Sequence, residues 1–218
     1  MIGFDLDMTL VDSADAIVDG VLAVAEAYGA QVDEAWMRST IGLPLDVVFP
    51  EIVPGAPYEE ALEIYRRRYI THGLAMQSLL PGAREALEAV VDDGFSVVVV
   101  SAKKDTHVLA VLEVVGLGGL VAEVVGERFA EGKADALRER GAEVYVGDHV
   151  GDVLGAHGCG AVAVAVATGP TPAAELAAAG ADVVLDDLTG FVPWWRGWSA
   201  GAGAPAELDP PARSEESA

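Results

Sequence analysis

Phe4-Asp5-Leu6-Asp7-Met8-Thr9-Leu10-Val11-Asp12-Ser13 sets two carboxylates, Asp5 and Asp7, directly behind a short apolar run, Ile2 to Phe4. If that run ends a buried strand, Asp5 lies at the strand's carboxyl end, where open parallel sheets bind their ligands. Two acidic groups this close repel each other unless a cation holds them or one keeps a proton. The plainer reading is a turn, because Asp and Thr are ordinary turn and capping residues. The pair gains weight only if later parts of the chain supply a phosphate binder and a second acidic site.

Working outward, residues 1 to 5 read as a buried strand, and Ser13 is placed to cap a helix over about 14 to 28. Ile17, Val18, Val21, Leu22 and Ala25 fall there at helical spacing, and Gly29 ends it. A second helical piece covers about 33 to 41. Gly42, Pro44, Pro50, Pro54 and Pro57 then punctuate a loop-rich region around Leu45 to Phe49. A further helix runs from Pro57 to about His72, so residues 14 to 78 are expected to be all-helical. From Leu80 the pattern changes. Phe95 to Val100 is a continuous apolar run, as in a strand buried on both faces. Strands over 121–125, 143–146, 161–167 and 181–185 alternate with helices over 105–115, 133–140 and 172–179. Strictly alternating strands and helices imply a parallel sheet with helices on both faces.

The expected fold is therefore α/β: a Rossmann-like parallel sheet core from residues 1–13 and 79–198, interrupted by an inserted all-helical cap at 14–78. Trp194, Trp195 and Trp198 are expected to pack a last segment onto the core. Residues 199–218 form a tail whose Gly, Ala, Pro, Glu and Ser composition predicts disorder.

Bulk properties narrow the partners. The chain has 218 residues, 52% of them apolar, enough for a sizeable core. Its 13 Lys and Arg against 35 Asp and Glu give a net charge of −22. That field disfavours nucleic acid and anionic membranes as partners, and it obliges an anionic substrate to meet local positive charge. A single Cys159 excludes an intrachain disulfide and suits a reducing compartment. No run approaches the roughly 18 apolar residues of a membrane-spanning helix, and no basic-then-apolar leader opens the sequence. A cytoplasmic protein is expected.

Three more sites fall where sheet strands end: Ser101, Lys133 at a helix start, and Gly147-Asp148-His149-Val150-Gly151-Asp152. In a parallel sheet these ends converge on one edge. That edge would gather Asp5, Asp7, Asp148 and Asp152 with one ammonium and one hydroxyl. Four carboxylates in one crevice call for a hard divalent cation, and oxygen ligands with room for water suit Mg²⁺. Such a metal would take one phosphate oxygen, with Lys133 and Ser101 taking two others. A carboxylate in line with that phosphorus is a competent nucleophile. Taken singly, Ser101 reads equally as a cap, Lys133 as a solvated helix-start lysine and the Gly-Asp motif as turns. Their joint occurrence in order is what points to chemistry.

On these motifs the chain resembles the haloacid-dehalogenase-like superfamily, specifically its phosphoglycolate-phosphatase-like members with a helical cap. Residues 4–13 match the first motif, Val97 to Ser101 the second, Lys133 in Glu-Gly-Lys-Ala-Asp-Ala-Leu the third, and Gly147-Asp148 through Asp152 the fourth. The resemblance implies that Asp5 forms an aspartyl-phosphate and that Asp7 protonates the leaving group, then activates water. It implies Mg²⁺ held by Asp5, the Asp7 backbone carbonyl and Asp148, with Asp152 direct or through water. Ser101 and Lys133 would hold the phosphoryl group. Met8 stands where Gly is common, and Ala102 where relatives often carry Asn.

The expected function is Mg²⁺-dependent hydrolysis of a small phosphomonoester, a small phosphorylated metabolite being the partner. Asp7 argues against a dehalogenase, and the lack of lysine in residues 14–78 argues against a phosphonatase. A phosphosugar mutase of the same superfamily stays open, as does a phospho-acceptor signalling or binding protein without turnover. Cap candidates for substrate choice are Arg38 and the run Arg66, Arg67, Arg68. Against them stands a solvated face in which the run pairs with Glu63. Oligomeric state, monomer or homodimer, is not readable from the sequence.

Overall fold

The computed structural model describes residues 1–202. In chain order its elements are β1 (Ile2–Phe4), β2 (Val11–Asp12), α1 (Ala14–Ala27), α2 (Glu34–Ser39), α3 (Leu45–Ile52), α4 (Tyr58–Thr71), β3 (Ser78–Leu79), α5 (Ala83–Asp92), β4 (Val97–Val100), α6 (Asp105–Val114), β5 (Glu123–Val125), α7 (Glu131–Glu139), β6 (Val144–Gly147), α8 (Val150–Cys159), β7 (Val162–Val166), α9 (Ala173–Ala178), β8 (Val183–Leu185) and α10 (Phe191–Ala202). Six strands form one parallel sheet in the order β5-β4-β1-β6-β7-β8. The chain builds outward on one side of β1 through β4 and β5, then returns to its other side for β6. That reversal makes a crevice at the carboxyl ends of β4, β1 and β6, where such sheets bind ligands.

The valine run of β4 is wholly buried, and its alternation explains why. Val97 and Val99 join a core with Leu87, Val108 and Trp195 on one face of the sheet. Val98 and Val100 join a second core with Leu137, Tyr145 and Ala156 on the other. Successive side chains of a strand point to opposite faces, so a strand covered twice must be apolar throughout. The tryptophans do pack the last segment on. Trp195 is fully buried, edge-on to Phe95 at 5.1 Å, and its indole N–H donates to Asp93 Oδ2 at 2.8 Å.

Several expectations need correction. The loop region around Leu45 to Phe49 is the helix α3, with Pro44 as its N-cap and Pro50 inside it. Val48, Phe49 and Ile52 are buried there, and the burial of that face outweighs the one backbone bond Pro50 cannot make. Ser13 does not cap α1 with its side chain; the Ala14 N–H donates to Asp12 Oδ1 instead, at 3.2 Å. Lys133 lies in the first turn of α7, which begins at Glu131, two residues earlier than expected. β2 and β3 pair antiparallel, Val11 with Leu79 and Asp12 with Ser78, and tie together the two ends of the helical segment. Two-residue strands are too short to show a period. In the expected tail, residues 199–202 continue α10, and the remainder lies outside the described residues. No helix among the described residues is long and apolar enough to cross a membrane.

Candidate active site

β1 ends at Phe4, and the Asp5 N–H continues its ladder by donating to the Val146 carbonyl at 2.8 Å. That bond aims Asp5 into the crevice between β4 and β6. The chain then turns tightly. Met8 adopts φ 57°, a left-handed conformation that an L side chain adopts at a cost, and its N–H donates to Val11 O at 2.8 Å. Thr168 Oγ1 donates to the Met8 carbonyl from the loop after β7, which holds the turn in place. Thr9 Oγ1 donates to Asp148 Oδ1 at 3.1 Å, so the hydroxyl of the first motif orients the acid of the fourth.

Asp5, Asp148 and Asp152 are all buried, and one carboxylate oxygen from each lies within 4.8 Å of the others. Lys133 Nζ stands 2.5 Å from Asp152 Oδ1 and 3.1 Å from Asp5 Oδ1. Burial opposes the charge of Lys133, but Asp152 and Asp5 outweigh it and hold its pKa well above the usual lysine range. Burial pushes the Asp5 carboxyl up to about 7; Lys133 pulls it down while Asp152 and Asp7 push it further up. Asp148 is raised well above the carboxylate range, first by burial and then by Asp152 and Asp5.

One lysine does not satisfy three buried carboxylates. Asp148 Oδ2 and Asp5 Oδ1 are buried without a hydrogen-bond donor, and Asp5 Oδ1 meets Lys133 outside hydrogen-bond geometry. Buried acceptors of this kind are satisfied by protons or by a cation. Hard oxygen donors fit a divalent ion such as Mg²⁺. Asp152 is the most committed of the three: Oδ1 takes Lys133, and Oδ2 accepts the His149 N–H at 3.0 Å in a capping box that starts α8. Gly169 is shaped by the same cluster, since a Cβ there would lie 1.8 Å from Asp148 Oδ2.

Ser101 is buried at the end of β4. Its Oγ accepts the Lys103 N–H at 3.2 Å, so the cap reading holds, yet the hydroxyl proton stays free to donate into the cavity. That cavity has a volume of about 290 Å³ and is lined by Asp5, Asp7, Ser101, Lys133 and Asp152 from the sheet edge. Leu43, Pro44, Leu45, Tyr58, Leu62 and Tyr65 line it from the helical segment.

Lys103 is the residue that motif reading missed. Its Nζ lies 3.1 Å from Asp7 Oδ2 and 4.0 Å from the centre of the Tyr69 ring, and the side chain is buried. Asp7 is thereby turned to Lys103, and its side chain is not one of the clustered three. Lysine is scarce in this chain, and Lys103 lies two residues beyond Ser101, a signal available in the sequence.

Of the four arginines proposed for substrate choice, only Arg66 lines this cavity, and its guanidinium meets Glu127 at 2.7 Å. Arg38 is held by Asp15 and Glu34 on the far side of the Met8 turn. Arg68 makes a two-bond pair with Asp19 of α1. Arg67 lines only surface grooves. The partners are thus Asp19 and Glu127, not Glu63, because α4 packs against α1 and Arg66 reaches across to the loop after β5.

The fold is that of an α/β enzyme whose acidic crevice lies at the sheet's switch point. A family model described as haloacid dehalogenase-like hydrolase matches residues 2–166, and the chain belongs to that family. It is similar to the phosphoglycolate phosphatase of Pasteurella multocida, at 28% identity over 86% of this chain and 94% of that protein. It is 32% identical to the tyrosine-protein kinase PtkA of Mycobacterium bovis over 74% of this chain and 60% of that one. Among solved structures, a predicted phosphatase from Clostridium acetobutylicum superposes with a TM-score of 0.79, covering 90% of this chain and 97% of that one at 24% identity. That last likeness concerns the fold alone.

Proposed function

We propose that this enzyme is a Mg²⁺-dependent phosphatase that hydrolyses a small phosphomonoester through an aspartyl-phosphate on Asp5. The observation that carries the reading is the buried trio Asp5, Asp148 and Asp152, the first two each with an orphaned oxygen, at a cavity that Asp5, Asp152, Lys133 and Ser101 line. The names of relatives, a phosphatase and a kinase, both describe phosphoryl chemistry and support it. Asp5, Asp148 and the Asp7 carbonyl would hold the metal, with Asp152 through water because both its oxygens are engaged. When bound, the metal supplies positive charge that steadies the phosphoryl oxygens and keeps Asp5 ionised.

The chain's own groups do the rest. Ser101 donates its hydroxyl proton to one phosphoryl oxygen, and Lys133 neutralises another. Asp5 attacks phosphorus, the ester P–O bond breaks, and Asp7 gives its proton to the departing oxygen. A water then attacks the acyl phosphate, Asp7 recovers a proton from it, and inorganic phosphate leaves with Asp5 restored. We further propose that residues 14–78 act as a cap over this chemistry; Leu62, Tyr65 and Arg66 line the cavity from that side. Cys159 is free, which suits work in the reducing cytoplasm.

Purified protein incubated with a panel of small phosphate esters should release inorganic phosphate with Mg²⁺ and lose that activity in EDTA. Equal release in EDTA would remove the metal from the reading. Interconversion of phosphosugars without phosphate release would replace the phosphatase by a mutase.

A further inference from the structure

All three lysines of this chain, Lys103, Lys104 and Lys133, line the one cavity, and Arg66 and Arg128 line it as well. Five of the 13 basic residues of a chain with 35 acidic ones therefore meet at one place. Three of them are answered by carboxylates: Lys133 by Asp5 and Asp152, Lys103 by Asp7, and Arg66 by Glu127. Lys104 and Arg128 pair with no carboxylate within 4.0 Å among the described residues. Arg128 makes one hydrogen bond, from Nη1 to the Glu127 carbonyl at 3.2 Å. Arg67 and Arg196 also lack a carboxylate partner among the described residues, but neither lines this cavity, so Lys104 and Arg128 are the two unanswered cations that face it.

Their placement is built. Arg128 N–H donates to Ser101 O and Glu127 N–H to Lys103 O, both at 2.9 Å, so the loops after β4 and β5 are tied to each other beside the cavity that Lys104 and Arg128 both line. Lys104 is the N-cap of α6, with no side-chain cap bond, and His107 of the first turn lines the same cavity. The positive end of that helix therefore adds to the two cations. His107 reports the charge around it: its pKa falls to about 4, first through burial and then through Lys103, Arg66 and Lys104. The acids near this region are Asp46 and Glu127 in the cavity lining, Asp105 in the first turn of α6, and Glu59 and Glu63 on a neighbouring groove that Lys104 also lines; Glu127 is taken by Arg66, and Asp105 accepts the Thr106 N–H at 2.7 Å. Lys104 is half-buried and Arg128 exposed, whereas Ser101 and Lys133 are deep. A phosphoryl group at Ser101 and Lys133 would leave the outer two uncountered.

We propose that Lys104 and Arg128 form a second anion subsite at the outer end of the cavity, so that the preferred ester carries a further acidic group, a carboxylate or a second phosphoryl, on its leaving-group side. The inference rests on the phosphomonoester reading above. The cavity lies at the small end of ligand-binding volumes, which calls for a short spacer between the two anionic ends. Specificity would then come from two core loops and not from the arginine run of the helical segment.

Three two-carbon esters test this: the phosphate of a hydroxy acid, its methyl ester, and a diol bisphosphate. The wild type, Lys104→Met, Arg128→Gln and the double variant would be compared by kcat/KM. At least one acidic ester should exceed the methyl ester by about tenfold or more in the wild type, and that ratio should fall to near one in the double variant. Which acidic ester leads tells carboxylate from phosphate. A methyl ester turned over as well as both acids, or a preference that survives the double substitution, overturns the subsite. If no ester releases phosphate, the phosphatase reading has failed, and calorimetric binding of the same compounds decides. Tighter binding of an acidic ester that the double variant loses supports the subsite, and equal binding overturns it. Should the double variant misfold, Arg128→Gln at its exposed position gives the same ratio test alone.

Discussion

Asp5 and Asp7 are the same residue type two positions apart, yet their surroundings separate them. Asp5 looks into the carboxylate trio, while Asp7 turns its side chain to Lys103. Asp5→Asn should abolish both turnover and hydroxylamine-trappable phosphate, because an amide is a poor nucleophile and a weaker ligand. Asp7→Asn should retain Mg²⁺ binding, measured by calorimetry, and lose turnover by about 10²–10⁴-fold. Phosphate trapped on the first variant, or full turnover by the second, would reverse the roles. Lys103→Met leaves the Asp7 carboxylate largely buried without its partner, at an expected cost of about 1–3 kcal/mol in urea unfolding. An unchanged midpoint would mean the pair contributes nothing to folding.

Among the elements, the connections matter more than the strands they join. The loop after β7 brings Thr168 to the Met8 turn and Gly169 against Asp148. Gly169→Ala would drive a methyl into Asp148 Oδ2, so it should weaken Mg²⁺ binding by about 10–100-fold, as displaced supports of a metal ligand generally do. Retained circular dichroism with unchanged metal affinity would show that the loop yields instead. The strands themselves were legible. Val97 to Val100 and Val162 to Val166 are apolar runs because helices cover both faces of the sheet. The ribbon of β2 with β3 and the helix α3 were not legible, the first being two residues per strand and the second carrying an exposed Pro50 beside an apolar face, Val48, Phe49 and Ile52, whose burial appears only once α4 packs on it.

At the scale of the whole molecule, the trio couples the site to the stability of the fold. The folded state raises Asp5 from its ordinary 3.8 to about 7, so between those values it holds a proton that the unfolded chain releases. Stability of the metal-free protein should therefore fall as pH rises from about 4 through 7, and the shift of Asp148 acts in the same direction. Mg²⁺ should recover the lost stability, and more of it at pH 7.5 than at pH 5, because it replaces the protons. Melting temperatures with and without Mg²⁺ at the two pH values check this; a metal-free melting temperature that climbs toward pH 7.5 would contradict the sign. The sequence by itself determined the alternation of strands and helices, the parallel sheet, and which residues end its strands. Those follow from hydrophobic period and from the fixed handedness of strand-helix-strand units, both local rules. Only the tertiary structure decided that Lys103 answers Asp7, that Arg68 goes to Asp19 and Arg66 to Glu127, and that Lys104 and Arg128 are left without an acid. Long charged side chains choose among partners tens of residues away, and no local rule ranks those partners until packing has placed the backbones that carry them.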